Sequence, residues 1–424
     1  MRKVSICLVG AGGMGSRHVG GMAVLAKHGL SNLDLVAVCD LRADNAERVA
    51  TQAEQELGSR PRVHLSVDSA LQDKEIDAFI VVTEAFSHFA VVPQILRVGK
   101  HVLCEKPLAL TVRSCQALEQ AARDGGAILA TAENYRRDPP NRLAKAVIDA
   151  GLIGTPHLML QTLVGGGNGI VITPWRHMKD KGAIGLDMAV HFTDLLRFYL
   201  GEIDSMFGKG FIAEPIRYRR AEPELKTDAY LARFKEMPTE VLATGEDSVL
   251  AYFAMQSGAV GQLSYIHAGP VHRGHRSRTI HGNLGWLDIP NDRTGNKVVL
   301  RTDAYELSGR EILQLLPDFT LDPVTAAIFG AEGVEYDLAP GAADAALLAI
   351  EQHDFCKAIL DGGTPEVSGF DGTAAVAGVV GVYESGIAGH ALAFDDVLSG
   401  RVDAYQRDID TALGLIGDAS RGSA

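Results

Sequence analysis

Val4-Ser5-Ile6-Cys7-Leu8-Val9-Gly10-Ala11-Gly12-Gly13-Met14-Gly15 opens the regular pattern of the chain. Val4 to Val9 is an apolar run of strand length, and the glycine turn after it leads into a helical stretch that reaches Gly29. A lone Gly-x-Gly-x-x-Gly is a weak signal in a chain with 46 glycines, so its context carries the reading. Gly10 permits a tight turn, Gly12 leaves room for a pyrophosphate against the backbone, and Gly15 lets the helix pack close to the strand. The helix amino end then favours an anion through its dipole and its unpaired amides. Asp40 follows a second strand, Leu33 to Cys39, where a carboxylate can accept hydrogen bonds from an adenosine ribose.

Outward from this unit, strand and helix alternate. A helical pattern from Ala43 to Leu57 ends at Gly58, and short strands are predicted at Val63 to Leu65 and Ala78 to Val82. Ser87 is expected to cap a helix to Val98 that Pro93 kinks or shortens. Lys100 to Cys104 and Ala127 to Ala132 complete six strands around a helix capped by Thr111. This alternation implies a parallel sheet covered by helices on both faces. The polar, proline-closed segment Glu133 to Pro140 ends the pattern, placing a boundary near residue 131. Beyond it, helices are predicted from Asn141 to Ala150 and Leu186 to Leu200. Strand pairs follow at Val249 to Met255 with Ala259 to Ile266, and within Thr279 to Ile289. Asp204 to Glu246 reads as a polar, poorly periodic insertion, and the stretch after Arg301 as another. Helices return at Ala342 to Leu360 and Thr373 to Ala388. The fold class is therefore α/β, with a second α/β domain on an open, largely antiparallel sheet.

Composition narrows the function. The 424 residues, 46% hydrophobic, suffice for a sizeable core in two domains or three. A formal net charge of -13 argues against a nucleic-acid partner. The one basic cluster, His272 to Arg278, reads as a solvated loop or subunit contact before an anion site. The five cysteines show no paired metal spacing and fit a reducing compartment. No stretch approaches the roughly 20 apolar residues of a membrane span, and no leader precedes the first strand, so a cytoplasmic protein with no membrane partner is expected.

Two stretches carry the chemistry. Cys104-Glu105-Lys106-Pro107 sets a charged pair at the carboxyl end of the fifth strand, where open α/β sheets keep their ligands. Pro107 biases Lys106 toward an extended backbone. On the helix from Leu186, Asp187, His191 and Asp194 are spaced four and three apart and form one polar stripe. Burying such groups is costly unless they are paired or used, and an imidazole oriented by a carboxylate one turn away is the arrangement a general base needs. Asp187 and His191 with His177 could instead hold zinc. No His-Glu-x-x-His or cysteine pair completes such a set, so no metal is expected.

Together, Gly10 to Gly15, Cys104-Glu105-Lys106-Pro107-Leu108 and Gly182 to His191 resemble the Gfo/Idh/MocA oxidoreductase family over residues 3 to 390 or so. The resemblance implies a Rossmann domain over 1–131 and a substrate-binding and oligomerisation domain over 132–424, assembled as a homodimer or homotetramer. It implies hydride transfer between NAD, with NADP as the alternative, and a ring carbon of a sugar, cyclitol or glycoside. Lys106 would hydrogen-bond the reacting oxygen, His191 would take its proton, and Asp187 would support that pair. The cofactor set would comprise Gly10, Gly12, Gly13, Met14, Gly15, Asp40, Thr83, His88, Glu105, Lys106 and Arg176. Asn134, Tyr135 and Arg136 resemble the segment beneath the substrate, and Trp175-Arg176 the loop closing over it. Lys181-Gly182 departs from the family's usual glycine pair before the catalytic helix. Other activities within the resemblance are an NAD-using glycosidase, a non-catalytic dinucleotide-binding regulator and a ketosugar or imine reductase. Asp40 predicts NAD over NADP, since it would repel a 2′-phosphate, although Arg42 two residues on could turn inward. A neutral substrate is expected, with Arg273 and Arg276 as the alternative phosphate clamp.

Overall fold

The computed structural model describes residues 2–220, 234–271 and 274–417. Arg273 and the middle of the stretch from Asp204 to Glu246 lie outside the described residues.

Strands β1 (Val4–Val9), β2 (Leu33–Cys39), β3 (Arg62–His64), β4 (Ala78–Val81), β5 (His101–Glu105) and β6 (Leu129–Ala132) form one parallel sheet in the order β3-β2-β1-β4-β5-β6. Helices α1 (Gly13–Lys27), α2 (Ala43–Leu57), α3 (Val67–Leu71), α4 (His88–Arg97) and α5 (Val112–Gly125) connect them. Burial of every residue in β4 and β6 explains why those strands read as continuous apolar or small runs instead of alternating ones. Thr111 caps α5 as expected, through a reciprocal pair with Ser114. Ser87 does not cap α4; its hydroxyl donates to the Glu84 carbonyl at 2.7 Å and shares a second 2.7 Å bond with the Thr83 hydroxyl. Pro93 sits inside α4, which ends at Arg97.

Helix α6 (Pro139–Asp149) begins at the prolines, two residues earlier than expected, because a ring without an N–H suits the first helical turn. The second sheet is built from β7 (Pro156–Val164), β8 (Ile203–Phe211), β11 (Ser248–Met255), β12 (Val260–Ile266), β13 (His275–Gly282), β14 (Gly285–Asp288), β15 (Val299–Thr302), β16 (Glu306–Ser308) and β17 (Leu392–Ala393), while β9 (Ile216–Tyr218) and β10 (Glu240–Leu242) pair separately. Its order is β16-β15-β14-β13-β7-β12-β11-β8-β17, with β7 and β12 parallel and the other neighbours antiparallel. Five of these strands, β7, β8, β15, β16 and β17, escaped the sequence pattern. β7 lies between β13 and β12, and β8 occupies the start of what read as an insertion. Gly208 and Gly210 weaken the strand signal of β8, yet a Cβ at Gly208 would meet the Leu250 carbonyl oxygen at 2.2 Å.

Helix α7 (Ile184–Leu200) is buried along nearly its whole length, because it lies between this sheet and the later helix α10. Helices α8 (Pro323–Phe329), α9 (Pro340–Asp361) and α10 (Gly369–Ala388) complete the main framework. Small residues let α10 approach closely: a Cβ at Gly378 would meet the Thr193 methyl at 2.9 Å. Helix α9 packs on α1, and its Ala349, Phe355 and Cys356 share a buried cluster with Ile6 and Leu8 of β1. No described helix is long and apolar enough to cross a membrane.

Candidate active site

Strand order in the parallel sheet reverses between β1 and β4, and a crevice at such a switch point is where open α/β sheets take ligands. A cavity of about 610 Å³ lies there; Val9, Val82 and Glu105, at or just past the carboxyl ends of β1, β4 and β5, all line it. Gly10, Gly12, Gly13 and Met14 line it too. Gly10 has φ of 98°, and a Cβ there would meet the Val82 carbonyl carbon and oxygen at 2.9 Å, so only glycine makes this turn. Gly15 is not on the wall; its place is against the Gly10 carbonyl, which a Cβ would meet at 2.2 Å.

The first turn of α1 has neither a side-chain cap nor an acidic residue, so its amide end is left to a bound anion. Asp40 lines the cavity, with Oδ2 accepting from the Ala11 amide at 2.7 Å and Oδ1 from the Arg42 amide at 2.8 Å. Arg42 lines the cavity beside it, with its guanidinium paired to Asp44 through bonds of 3.2 and 2.9 Å. A glycine cradle, an uncapped helix amino end and a carboxylate closing the next strand fit a dinucleotide.

The expected catalytic residues meet on the same cavity, but their pairing differs from expectation. Lys106 Nζ donates to both the carbonyl and Oδ1 of Asp187, each at 2.9 Å, and Arg176 Nε reaches Asp187 Oδ2 at 3.1 Å. Burial would raise the Asp187 carboxyl, but Lys106 and Arg176 together hold it well below the usual carboxylate range. Asp187 therefore serves two cations, and the carboxylate on His191 is another one. Glu133 Oε2 lies 2.6 Å from His191 Nδ1, and Glu133 Oε1 accepts from the Tyr135 amide at 3.0 Å. Tyr135 stacks on the His191 ring, centroids 3.9 Å apart and planes 8° from parallel.

Thr83, Asn134, Tyr135, Trp175 and Arg176 also line the cavity. His88 does not: it is fully buried, with Nδ1 3.1 Å from the Pro107 carbonyl and Nε2 3.2 Å from that of Thr83. It joins the loop after β4 to the segment after β5, and burial pushes its imidazole down. Arg136 is also off the wall, because its guanidinium is committed to buried Asp194. That pair takes Asp194 out of the polar stripe expected to carry chemistry. His177 is buried as well, and its Nε2 accepts from the Val171 amide at 3.0 Å. Of the basic cluster, Arg278 is buried against Asp292 and Gln161.

Several participants went unread. Glu133 follows β6 just as Glu105 ends β5, and that shared position at a strand's carboxyl end was the available signal. Arg293 also lines the cavity, donating to the Tyr135 hydroxyl at 2.8 Å and to Asp344 at 2.8 Å, and Arg17 shares Asp344 from the other domain. Arg293 has φ of 63° in an irregular segment, where no periodicity marks a residue. Ile172, a β-branched residue with φ of 58°, lies in the cavity-lining loop before Trp175.

Residues 4–133 match the family model for an oxidoreductase family with an NAD-binding Rossmann fold, and residues 141–288 match the GFO/IDH/MocA C-terminal domain. The chain belongs to the Gfo/Idh/MocA oxidoreductase family. Among relatives in this family, levoglucosan dehydrogenase of Pseudarthrobacter phenanthrenivorans is 26% identical over 88% of this chain and 93% of its own. The scyllo-inositol 2-dehydrogenase (NAD(+)) of Bacillus subtilis is 26% identical over 75% of this chain and 81% of its own. A solved structure of levoglucosan dehydrogenase with NADH and levoglucosan superposes with a TM-score of 0.73 at 21% identity, covering 93% of this chain and 100% of that one. The fold is thus shared across the length of both Gfo/Idh/MocA chains.

Proposed function

We propose that this Gfo/Idh/MocA oxidoreductase oxidises a secondary hydroxyl on the ring of a sugar, cyclitol or glycoside to the ketone, with His191 as base and Lys106 on the reacting oxygen. The observation that carries the reading is convergence: Lys106 and Asp187, 81 residues apart in sequence, are hydrogen-bonded beside His191 on the cavity that also holds the glycine turn. The relatives named above act on a sugar anhydride and an inositol, both ring polyols. NAD, when bound, supplies the acceptor for the hydride that leaves the carbinol carbon.

The residues divide the remaining work. An ammonium has three N–H donors; Asp187 occupies two of those of Lys106, leaving one for a substrate oxygen. Lys106, Arg176 and Asp187 sum to one positive charge, which stabilises negative charge developing on that oxygen. His191 Nδ1 faces Glu133, so Nε2 is the nitrogen left for the hydroxyl proton. Asn134 and Tyr135 offer polar groups to further hydroxyls, and Trp175 an apolar plate to a ring face.

A homo-oligomer is supported by Phe207 and Tyr252, direct neighbours across β8 and β11 that are 47% and 48% exposed on the open sheet. A reducing, cytoplasmic setting suits five cysteines that are all free and buried. Incubating the purified protein with NAD and a panel of ring polyols, following nicotinamide absorbance and product mass together, tests the activity. A ketone two hydrogens lighter than its substrate is expected; cleavage of glycosides without net NADH would replace this reading with a hydrolytic one.

A further inference from the structure

We infer that Glu133 is the positioning residue for the proton-accepting imidazole: it fixes the His191 proton on Nδ1, keeps Nε2 free to act as base, and leaves Asp187 to serve Lys106. This assignment rests on the proposed dehydrogenase reading for the substrate but not for its geometry. Glu133 is 3% exposed and shorn of water, so its two oxygens must be satisfied locally. Oε1 accepts from the Tyr135 amide at 3.0 Å, and Oε2 meets His191 Nδ1 at 2.6 Å. A backbone N–H can only donate, which fixes the role of Oε1. An ionised carboxylate can only accept, which forces the shared proton onto Nδ1.

Its own partners keep Glu133 ionised. Burial would raise its carboxyl, but His191 and, further off, Lys106 bring it below the usual range. Of the other charged groups facing the pair, Asp194 is committed to Arg136, Asp292 to Arg278, Asp187 to Lys106 and Arg176, and Arg293, over the Tyr135 ring, to Asp344, while Glu351, whose buried carboxyl is pushed up in part by Glu133, is held toward its neutral form. Tyr135 stacked on the imidazole holds the plane of the ring, and the bond to Glu133 fixes which of its edges faces the cavity. In the reaction, the substrate O–H bond breaks and its proton moves to Nε2. The electron pair of the adjacent C–H bond departs as hydride to NAD, the C=O bond forms, and Glu133 balances the imidazolium.

Glu133→Gln isolates the effect because of the Tyr135 amide. The glutamine must keep its oxygen on that donor, so its NH₂ turns toward Nδ1 and the imidazole proton is displaced to Nε2, the wrong nitrogen for a base. Nitrogen-15 NMR of histidine-labelled full-length protein, recorded without substrate, reads the tautomer of His191 directly. Wild type is expected as the Nδ1–H form and Glu133→Gln as the Nε2–H form, with Asp187→Asn unchanged from wild type. In turnover, Glu133→Gln should lower kcat by about 10²–10⁴-fold with little change in NAD affinity, and Glu133→Asp should restore part of it. A Glu133→Gln protein that keeps the Nδ1–H tautomer, or wild-type kcat, overturns the assignment, as does a tautomer change in Asp187→Asn. If no ring polyol is turned over by the wild type, the dehydrogenase reading fails while the NMR result still judges Glu133.

Discussion

Lys106 is useful because its ammonium is only partly spent. Replacing it with Ala removes the remaining donor and leaves Asp187 and Arg176 as a neutral pair. Turnover is expected to fall by about 10²–10⁴-fold while the dissociation constant for NAD changes little, which stopped-flow turnover and fluorescence titration of the nicotinamide separate. Besides the ribose contact proposed for it, Asp40 holds the Ala11 amide of the glycine turn at 2.7 Å. Asp40→Ser should therefore shift the ratio of kcat/KM values toward NADP and also lower kcat/KM for NAD by about 10- to 100-fold, since hydrogen bonds to charged groups contribute about 1.5–3 kcal/mol. With Arg42 paired to Asp44, wild type is expected to prefer NAD, and equal kcat/KM with NADP would remove that claim.

At the scale of elements, α9 carries a carboxyl with no hydrogen-bond partner among the described residues. Glu351 is 1% exposed, and burial, together with the charge of Glu105, pushes its carboxyl well above the usual range. An unfolded glutamate ionises near pH 4.3, so above that pH the native state binds a proton that the unfolded state has lost. Wild-type stability is thereby eroded by up to about 1.4 kcal/mol per pH unit until the folded carboxyl itself ionises. Glu351→Gln has no proton to hold, so its Tm relative to wild type should rise from pH 4.5 to pH 7; a pH-independent difference in calorimetry would refute the neutral carboxyl. The element scale also shows what sequence could and could not reveal. β1 with its glycine turn, and the α7 stripe, were legible because apolar periodicity and unusual polar positions are local signals. β7 and β8 were not, since Gly208, Gly210 and the half-buried residues of β7 are explained only by the neighbours they pack against. The Glu133 pairing was hidden for the same reason: 58 residues separate it from His191, and a helical spacing of four pointed to Asp187 instead.

For the whole molecule, the two sheets are tied by more than the linker after β6. Asp344 at the start of α9 is shared by Arg17 of α1 and Arg293, and Gln352 donates to the His18 carbonyl at 3.0 Å, next to the His18–Glu105 bond of 3.0 Å. Residues 1–133 expressed alone should accordingly be insoluble or bind hydrophobic dyes, whereas the full chain should not; a soluble, cooperative fragment would contradict this. Helix α9 covers β1 and α1 from the far end of the sequence, and that has a cost in time during synthesis. A ribosome adding about 5–20 residues per second needs roughly 10–40 s to travel the ~200 residues between β6 and α9. Through that interval the nascent nucleotide-binding domain lacks the apolar cover that Ala349, Phe355 and Cys356 later give it, and transiently exposed surface of that kind is prone to aggregate before the enzyme is complete.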